Sequence, residues 1–355
     1  MTFAPDPIRV VNVDSFYRST RGYSYEEKFL RAIGATLQLS TARLEGDVIA
    51  ACRGAQIILV EHPDTPFTRN VIEGLDECQL IAKYAIGLDN IDMEAATERR
   101  IVVCHAPGYC VEEVSDHAVA LLLDLGRRIT FIDRHVQSGG WYLDLEPQAR
   151  RMSTQVLGLL GMGRIAQAVA RKMRPWGMRM LCFDPYINHE TATALNVEPV
   201  DLSTLLKSAD FLSLHAPLTA QTHHILGAGE LDTMKPTAWV VNTSRGRLID
   251  EAALAAALGS RKIAGAALDV TEDEPLPASS PLRGMPNVIL TSHHAAVSTE
   301  SLIDLRVTIA ASVEAFSRGY WPKSVANPGV RPRKPLKAWE EYMKLSDRVV
   351  QEISG

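Results

Sequence analysis

"VLGLLGMGRIAQAVA", residues 156–170, joins an apolar run to a run of helical character through two closely spaced glycines. Gly161, Gly163 and Ala166 stand in the spacing G-x-G-x-x-A. Each position meets a physical demand: a tight turn at Gly161, backbone approach to a ligand at Gly163, and close strand–helix packing at Ala166. The amides that open the helix then form an anion site suited to a pyrophosphate. Glycine turns of this kind also occur where a helix merely packs on a sheet, so the surroundings decide. The next strand-like run ends in "CFD", which puts Asp184 about 20 residues beyond the glycines. An acid there binds the ribose hydroxyls of NAD and repels the 2′-phosphate of NADP. A plain strand-end turn is its structural alternative.

Outward from this stretch the chain alternates short apolar runs with helical patterns. Before it lie "IRVVNV" (8–13), "AQIILV" (55–60), "QLIAKY" (79–84) and "IVVC" (101–104), interleaved with helix-like pieces at 24–34 and 92–100. After it come "MRMLCFD" (178–184), "ADFLSLH" (209–215), "AWVVNT" (238–243), "IAGAALDV" (263–270) and "NVILTSHH" (287–294). Continuous β-branched and apolar runs suit strands buried on both faces of a parallel sheet. Residues 112–140 read as one long helix with a glycine stop, and 299–319 as a second. The expected fold is therefore α/β: two doubly wound parallel-sheet domains, Rossmann- or flavodoxin-like, joined by two long helices. Residues 1–106 with 299–355 form the expected substrate-binding domain, and 107–298 the NAD-binding domain. The last residues read as a proline-rich linker followed by a terminal helix.

With 355 residues, 46% hydrophobic and 22% charged, the chain has material for two cores. A net charge of −5 gives no reason to expect nucleic acid or an anionic membrane as partner. The basic group Arg331, Arg333, Lys334 and Lys337 is short and reads as a solvated linker. Five cysteines without a C-x-x-C pair point to free thiols in a reducing compartment. "MTFAPDPIRVVNVD" does not read as a signal peptide, and no apolar run is long enough to span a bilayer. A cytoplasmic protein is expected. No His/Cys group has metal-ligand spacing, so no metal is expected.

Three residues follow successive strands of the second unit at the edge where open α/β sheets bind ligands. Arg245 lies in the turn of "NTSRGRLIDEAAL", after a strand and before a helix start at Asp250. Glu274 follows in "LDVTEDEP", and His293 ends "ILTSHH". Singly, each has a structural reading: a solvated turn arginine, an acidic loop residue, a packed histidine. Together beside a nicotinamide they suit reduction of a 2-oxo acid. A guanidinium grips carboxylate and carbonyl oxygens at once and favours the developing alkoxide. A carboxylate beside a histidine favours its protonated form, the acid that the carbonyl oxygen needs.

These motifs, with "YAIGLDNIDMEAATERRIVVCHAPGYCVEEVSDHAVALLL", "GLLGMGRIA", "HAPLTAQT" and "ILTSHHAA", closely resemble the D-isomer-specific 2-hydroxyacid dehydrogenase family over residues 50–328. The chain is also similar to the C-terminal-binding-protein co-repressors, which share that fold. The resemblance implies that Arg245 binds substrate, Glu274 pairs with the histidine, and His293 is the general acid/base. It implies a carboxylate-holding loop at Ile86, Gly87 and Leu88. It further implies cofactor contacts at Gly161, Gly163, Arg164, Ile165, Asp184, His215, Pro217, Thr222, Thr243, Ser244 and Asp269, and a homodimer formed through the helix at 112–139.

Three departures from the family pattern stand out. Ser292 and His294 flank the histidine in place of a proline and an apolar residue, and Ala296 stands where the co-repressors carry tryptophan. Ala85 replaces a glycine in the carboxylate loop. Packing is the expected role of His294. The expected activity is NAD(H)-dependent interconversion of a small D-2-hydroxy acid and its 2-oxo acid. An NAD(H)-sensing binding protein of the co-repressor type is the alternative, and Ala296 leans toward the enzyme. Glu61, His62 and Tyr109 are candidate contacts to a polar substituent, surface or packing roles being their alternative. An acid at Glu61 disfavours a second substrate carboxylate.

Overall fold

The computed structural model describes residues 8–15, 23–142 and 148–344. In chain order the first elements are β1 (Arg9–Asn12), α1 (Ser24–Ala32), β2 (Thr36–Leu39), α2 (Glu45–Ala51), β3 (Ile57–Val60), α3 (Arg69–Glu73), β4 (Leu80–Lys83), α4 (Met93–Glu98) and β5 (Val102–Cys104). Next come α5 (Val111–Arg127), α6 (Ile129–Gln137), β6 (Val156–Leu160), α7 (Arg164–Met173), β7 (Arg179–Phe183), α8 (His189–Leu195), β8 (Val197–Pro199) and α9 (Leu202–Ser208). The series ends with β9 (Phe211–Leu214), α10 (Ala228–Thr233), β10 (Trp239–Asn242), α11 (Glu251–Gly259), β11 (Gly265–Leu268), β12 (Val288–Leu290) and α12 (Thr299–Ser317). The chain divides into two compact units, one of Met1–Tyr109 with Thr299–Gly355, the other of Cys110–Ser298.

The first unit is built on a five-stranded sheet in the order β2-β1-β3-β4-β5, every pair parallel. Ile57–Val60 and Leu80–Lys83 are buried along their whole length, as strands covered by helices on both faces must be. The edge strand β2 alternates exposed and half-buried residues. The second unit carries seven parallel strands in the order β12-β11-β10-β9-β6-β7-β8. Side chains alternate between its two faces, so Val240 packs in one apolar layer and Trp239 and Val241 in the other. The strand order reverses between β1 and β3 in one sheet and between β6 and β9 in the other. Loops leaving the carboxyl ends of the strands at such points form the ligand crevices of this architecture.

Helix starts are set by short acceptors: Asp92, Asn188, Asp201 and Asp250 each accept from an amide three residues on. The helix expected over 112–140 is interrupted. Arg128 sits in the left-handed region at φ 62 and separates α5 from α6. The Asp124 side chain caps the new start by accepting from Thr130 N at 2.8 Å. The Arg128 guanidinium lies 3.9 Å from the Trp239 ring centre and donates to Leu125 O. The apolar period runs on across this break, which is why the sequence reads as one helix.

All five cysteines are free and buried. No helix among the described residues is long and apolar enough to cross a membrane. Residues 339–344 are helical, and the rest of the expected terminal helix lies outside the described residues.

Candidate active site

The glycine turn of the second unit is fixed by backbone. Gly161 has φ 93 and donates its amide to Phe183 O at 2.8 Å. A Cβ there would meet Ala216 N at 2.8 Å and His215 O at 2.9 Å, so only glycine fits. Gly163 differs: its φ is −70 and a Cβ would meet nothing within 4 Å. The protein's own packing leaves that space open directly at the start of α7, whose N-cap has no side-chain hydrogen bond. Arg164 is exposed and Ile165 half-buried beside the opening, while Ala166 is fully buried under the sheet. Asp184 accepts from Met162 N and from Tyr186 N, both at 2.8 Å, which ties its carboxylate to the glycine turn.

Beyond the next strand end, His215 is held by Ser213 Oγ at 2.9 Å from Nε2, and its buried Nδ1 has no hydrogen-bond partner among the described residues. Burial pushes this imidazole down to about 4, so it is neutral at ordinary pH. Thr243 Oγ1, at the end of β10, is likewise buried without a partner among the described residues. Ser244 Oγ donates to Leu214 O and stitches the two loops together. Thr222 donates to Pro217 O at 2.6 Å and closes the exposed 217–222 turn. An open helix start, an acid at the second strand end and two orphaned buried polar atoms fit a dinucleotide laid across the switch point.

Arg245, Glu274 and His293 follow successive strands at the same sheet edge. Arg245 follows β10 and donates through Nη1 to Ser244 O at 2.7 Å. Asn242 holds the turn by donating to Arg245 O and accepting from Ser244 N. A Cβ on Gly246 would lie 1.9 Å from the Thr271 carbonyl carbon, so this turn is pressed onto the loop that leads to Glu274. Thr271 N donates to Glu274 Oε1 at 3.2 Å, and Glu274 Oε2 lies 2.6 Å from His293 Nδ1. Because a carboxylate only accepts, Nδ1 carries the proton of this bond and Nε2 faces outward from the pair. His293 itself is in the left-handed region at φ 53 and donates its amide to Asp269 O at 2.7 Å.

Asp269 is spent on this loop: its carboxylate accepts from Thr291 Oγ1, His294 N and Ala295 N. His294 is exposed, which corrects the expected packing role; the backbone around it is what Asp269 holds. Ala296 is half-buried. Two residues that the sequence reading did not single out belong here. Thr291 links Asp269 to His117 of α5, whose Nε2 lies 3.1 Å from Thr291 Oγ1 and 3.7 Å from Asp269 Oδ1. The available signal was a histidine on the face of Val114, Ala118, Leu121 and Leu125, an otherwise apolar stripe.

In the first unit, Ile86, Gly87 and Leu88 follow β4 after Tyr84 and Ala85. The carbonyls of Ala85, Ile86 and Leu88 accept from Ala106 N, His105 Nδ1 and Ile91 N. Among the described residues no acceptor engages the amides of 86–88, which leaves a run of donors of the kind that binds a carboxylate. Glu61 is buried at the end of β3, where Asn12 Nδ2 donates to it at 2.6 Å and its own amide donates to Asp14. His62 N donates to the other oxygen of Asp14, and burial lowers the His62 imidazole. Tyr109 is half-buried. Among the described residues no group of three His, Cys, Asp or Glu side chains could hold a metal ion.

Residues 119–295 match the family described as "D-isomer specific 2-hydroxyacid dehydrogenase, NAD binding domain". A glyoxylate reductase of Korarchaeum cryptofilum is 41% identical over 273 residues, spanning 76% of this chain and 82% of that protein. A D-3-phosphoglycerate dehydrogenase of Methanocaldococcus jannaschii is 35% identical over 337 residues, 92% of this chain and 63% of that protein. The solved D-lactate dehydrogenase of Aquifex aeolicus, complexed with NAD and lactic acid, has a TM-score of 0.79 at 28% identity. That match covers 87% of this chain and 96% of the other.

Proposed function

Because the chain belongs to the D-isomer specific 2-hydroxyacid dehydrogenase family and is an NAD-dependent oxidoreductase, we propose that it interconverts a small D-2-hydroxy acid and its 2-oxo acid, in the size range of glyoxylate and hydroxypyruvate. The observation that carries this reading is the 2.6 Å pair of His293 Nδ1 with Glu274 Oε2, on a loop pressed against the turn of Arg245. The reported relatives are dehydrogenases and reductases, and the co-repressor reading gains nothing from them.

Gly161, Gly163, Arg164 and Ile165 would hold the pyrophosphate, and Asp184 the adenosine ribose. His215, Pro217, Thr222, Thr243 and Ser244 would line the nicotinamide side, and Asp269 would act there through the histidine loop that its carboxylate holds. When bound, the nicotinamide would supply or take the hydride. The remaining work falls to side chains and amides of the chain. Ile86, Gly87 and Leu88 donate amides to the substrate carboxylate. Arg245 grips carboxylate and carbonyl oxygen together, orienting the carbonyl and stabilising the negative charge that grows on it. His293 gives the proton on Nε2 to that oxygen, and Glu274 holds Nδ1–H so that the imidazole keeps its direction. In the oxidative direction neutral Nε2 takes the hydroxyl proton. Asp184 places negative charge where NADP carries a phosphate, so NAD(H) is the preferred cofactor.

Glu61 sits buried beside Asp14 at the end of β3 and opposes a second carboxylate on the substrate. Loss of NADH absorbance is therefore expected with glyoxylate, hydroxypyruvate or pyruvate, and little with oxaloacetate or 2-oxoglutarate. Robust turnover of the dicarboxylates contradicts the assignment of Glu61.

The unit pairs with a second copy through α6. Ile129, Ile132 and Val136 are exposed along one stripe of that helix, and Trp141 and Tyr142 just beyond it are exposed as well. A dimeric mass in solution, reduced to a monomer by Ile132→Glu, is the expected result.

A further inference from the structure

We propose that His117 is a positioning residue for catalysis, acting on His293 through Thr291 and Asp269; the proposal rests on the reading of His293 as the proton donor. Proton counting along one chain of contacts carries it. Asp269 is 2% exposed. Its Oδ1 accepts from His294 N at 2.9 Å and from Thr291 Oγ1 at 2.5 Å, and its Oδ2 accepts from Ala295 N at 2.9 Å. With two amides and a hydroxyl pointing at it, this carboxylate is an acceptor throughout. Thr291 has one hydroxyl proton and gives it to Asp269. Its oxygen is therefore left to accept from His117 Nε2, 3.1 Å away, and that nitrogen must carry a proton. The direction of the relay is fixed: His117 donates to Thr291, and Thr291 donates to Asp269.

What the relay holds is the loop that aims His293. The residue turns at φ 53, a conformation that a side chain bearing a Cβ does not adopt without external support. Asp269 supplies that support on both sides, taking His293 N on its backbone oxygen and the next two amides on its carboxylate. One turn earlier on α5, Glu113 accepts from Ser298 Oγ at 2.7 Å. The first turns of α5 thus grip both ends of the 291–298 segment. Without the His117 donor, Thr291 loses the partner that fixes its hydroxyl toward Asp269, and the clamp on the histidine loop slackens. Small misplacement of an acid is costly because proton transfer needs hydrogen-bond distance in the transition state.

The test uses the full chain with NADH bound and three variants. His117→Phe removes the donor at similar volume, Thr291→Val removes the relay, and His117→Gln keeps an amide donor. The expected result is a kcat about tenfold lower in the first two with the KM for NADH little changed. The double variant should be no worse than either single one, since both cut the same chain. His117→Gln should recover most of the loss. A merely structural histidine would instead give a lower Tm, an unmoved His293 resonance and no rescue by glutamine. The readout independent of turnover is the His293 Cε1–H resonance in histidine-labelled protein, assigned by its disappearance in His293→Gln. It should move in His117→Phe and Thr291→Val and return in His117→Gln. An unchanged His293 resonance in His117→Phe overturns the proposal. If the resonance moves as expected while the wild-type protein reduces no 2-oxo acid, the link stands and the reading of His293 as acid falls.

Discussion

The glycine turn at 161–163 and the histidine loop at 291–295 serve the same edge of one sheet, and they are built from different material. The turn is shaped by backbone: Gly161 fits against residues 215 and 216 where any Cβ would collide, and Gly163 leaves open space at a helix start. The loop is shaped by side chains: Asp269, Glu274, Thr291 and His117 each hold one part of it. Backbone construction tolerates almost no substitution but needs few residues. Side-chain construction recruits partners from distant parts of the chain and can be loosened by degrees.

That contrast is broken or sharpened by substitution. The largest effect is expected at His293. Replacement by alanine should lower turnover by on the order of 10²–10⁴ while NADH still binds, because the proposed proton donor is removed and the glycine turn is untouched. Turnover kinetics and NADH fluorescence titration read the two halves separately. Gly161→Ala should cost roughly 2–4 kcal/mol of stability, from strain at φ 93 and collision with backbone. Gly163→Ala should leave the denaturation midpoint unchanged and weaken NADH binding about tenfold. Equal loss of stability in both variants would mean that the space at Gly163 serves packing.

The cofactor side also carries a pH signature. His215 is held near 4 by burial, below the ordinary value of about 6.5 for the unfolded chain. Its neutral form is fully favourable above pH 6.5, and the unfolded chain gains a proton first as pH falls. Stability should therefore drop by about 3 kcal/mol between pH 6.5 and 4 from this group. Urea midpoints across that range should fall less steeply in His215→Asn. The smallest effect is expected at Asp184, where replacement by alanine should narrow the preference for NADH over NADPH by about tenfold, read as the ratio of kcat/KM values.

The same contrast explains what was legible in the sequence. Strands buried on both faces announce themselves as unbroken apolar runs, as in "IILV" at 57–60 and "WVVN" at 239–242. The edge strands β2 and β8, "TLQL" and "VEP", have no such run because a half-exposed strand is under no pressure to keep one. The glycine motif is readable because a backbone demand falls on a few neighbouring positions. The break at Arg128 is not readable: its ring partner, Trp239, lies more than a hundred residues on, while the local period continues. His117 is hidden for the same reason, since its partner Thr291 lies 174 residues away along the chain. Arg245, Glu274 and His293 are visible as an ordered set after three strands, and their contacts come from folding.

The most direct measurement of the central claim is NADH oxidation by the full chain against glyoxylate, hydroxypyruvate and pyruvate, with Arg245→Ala beside it. Steady turnover of at least one of these acids is expected, lost in the variant while NADH binding persists. Tight NADH binding with no turnover of any of them, or turnover equal in Arg245→Ala, would contradict it.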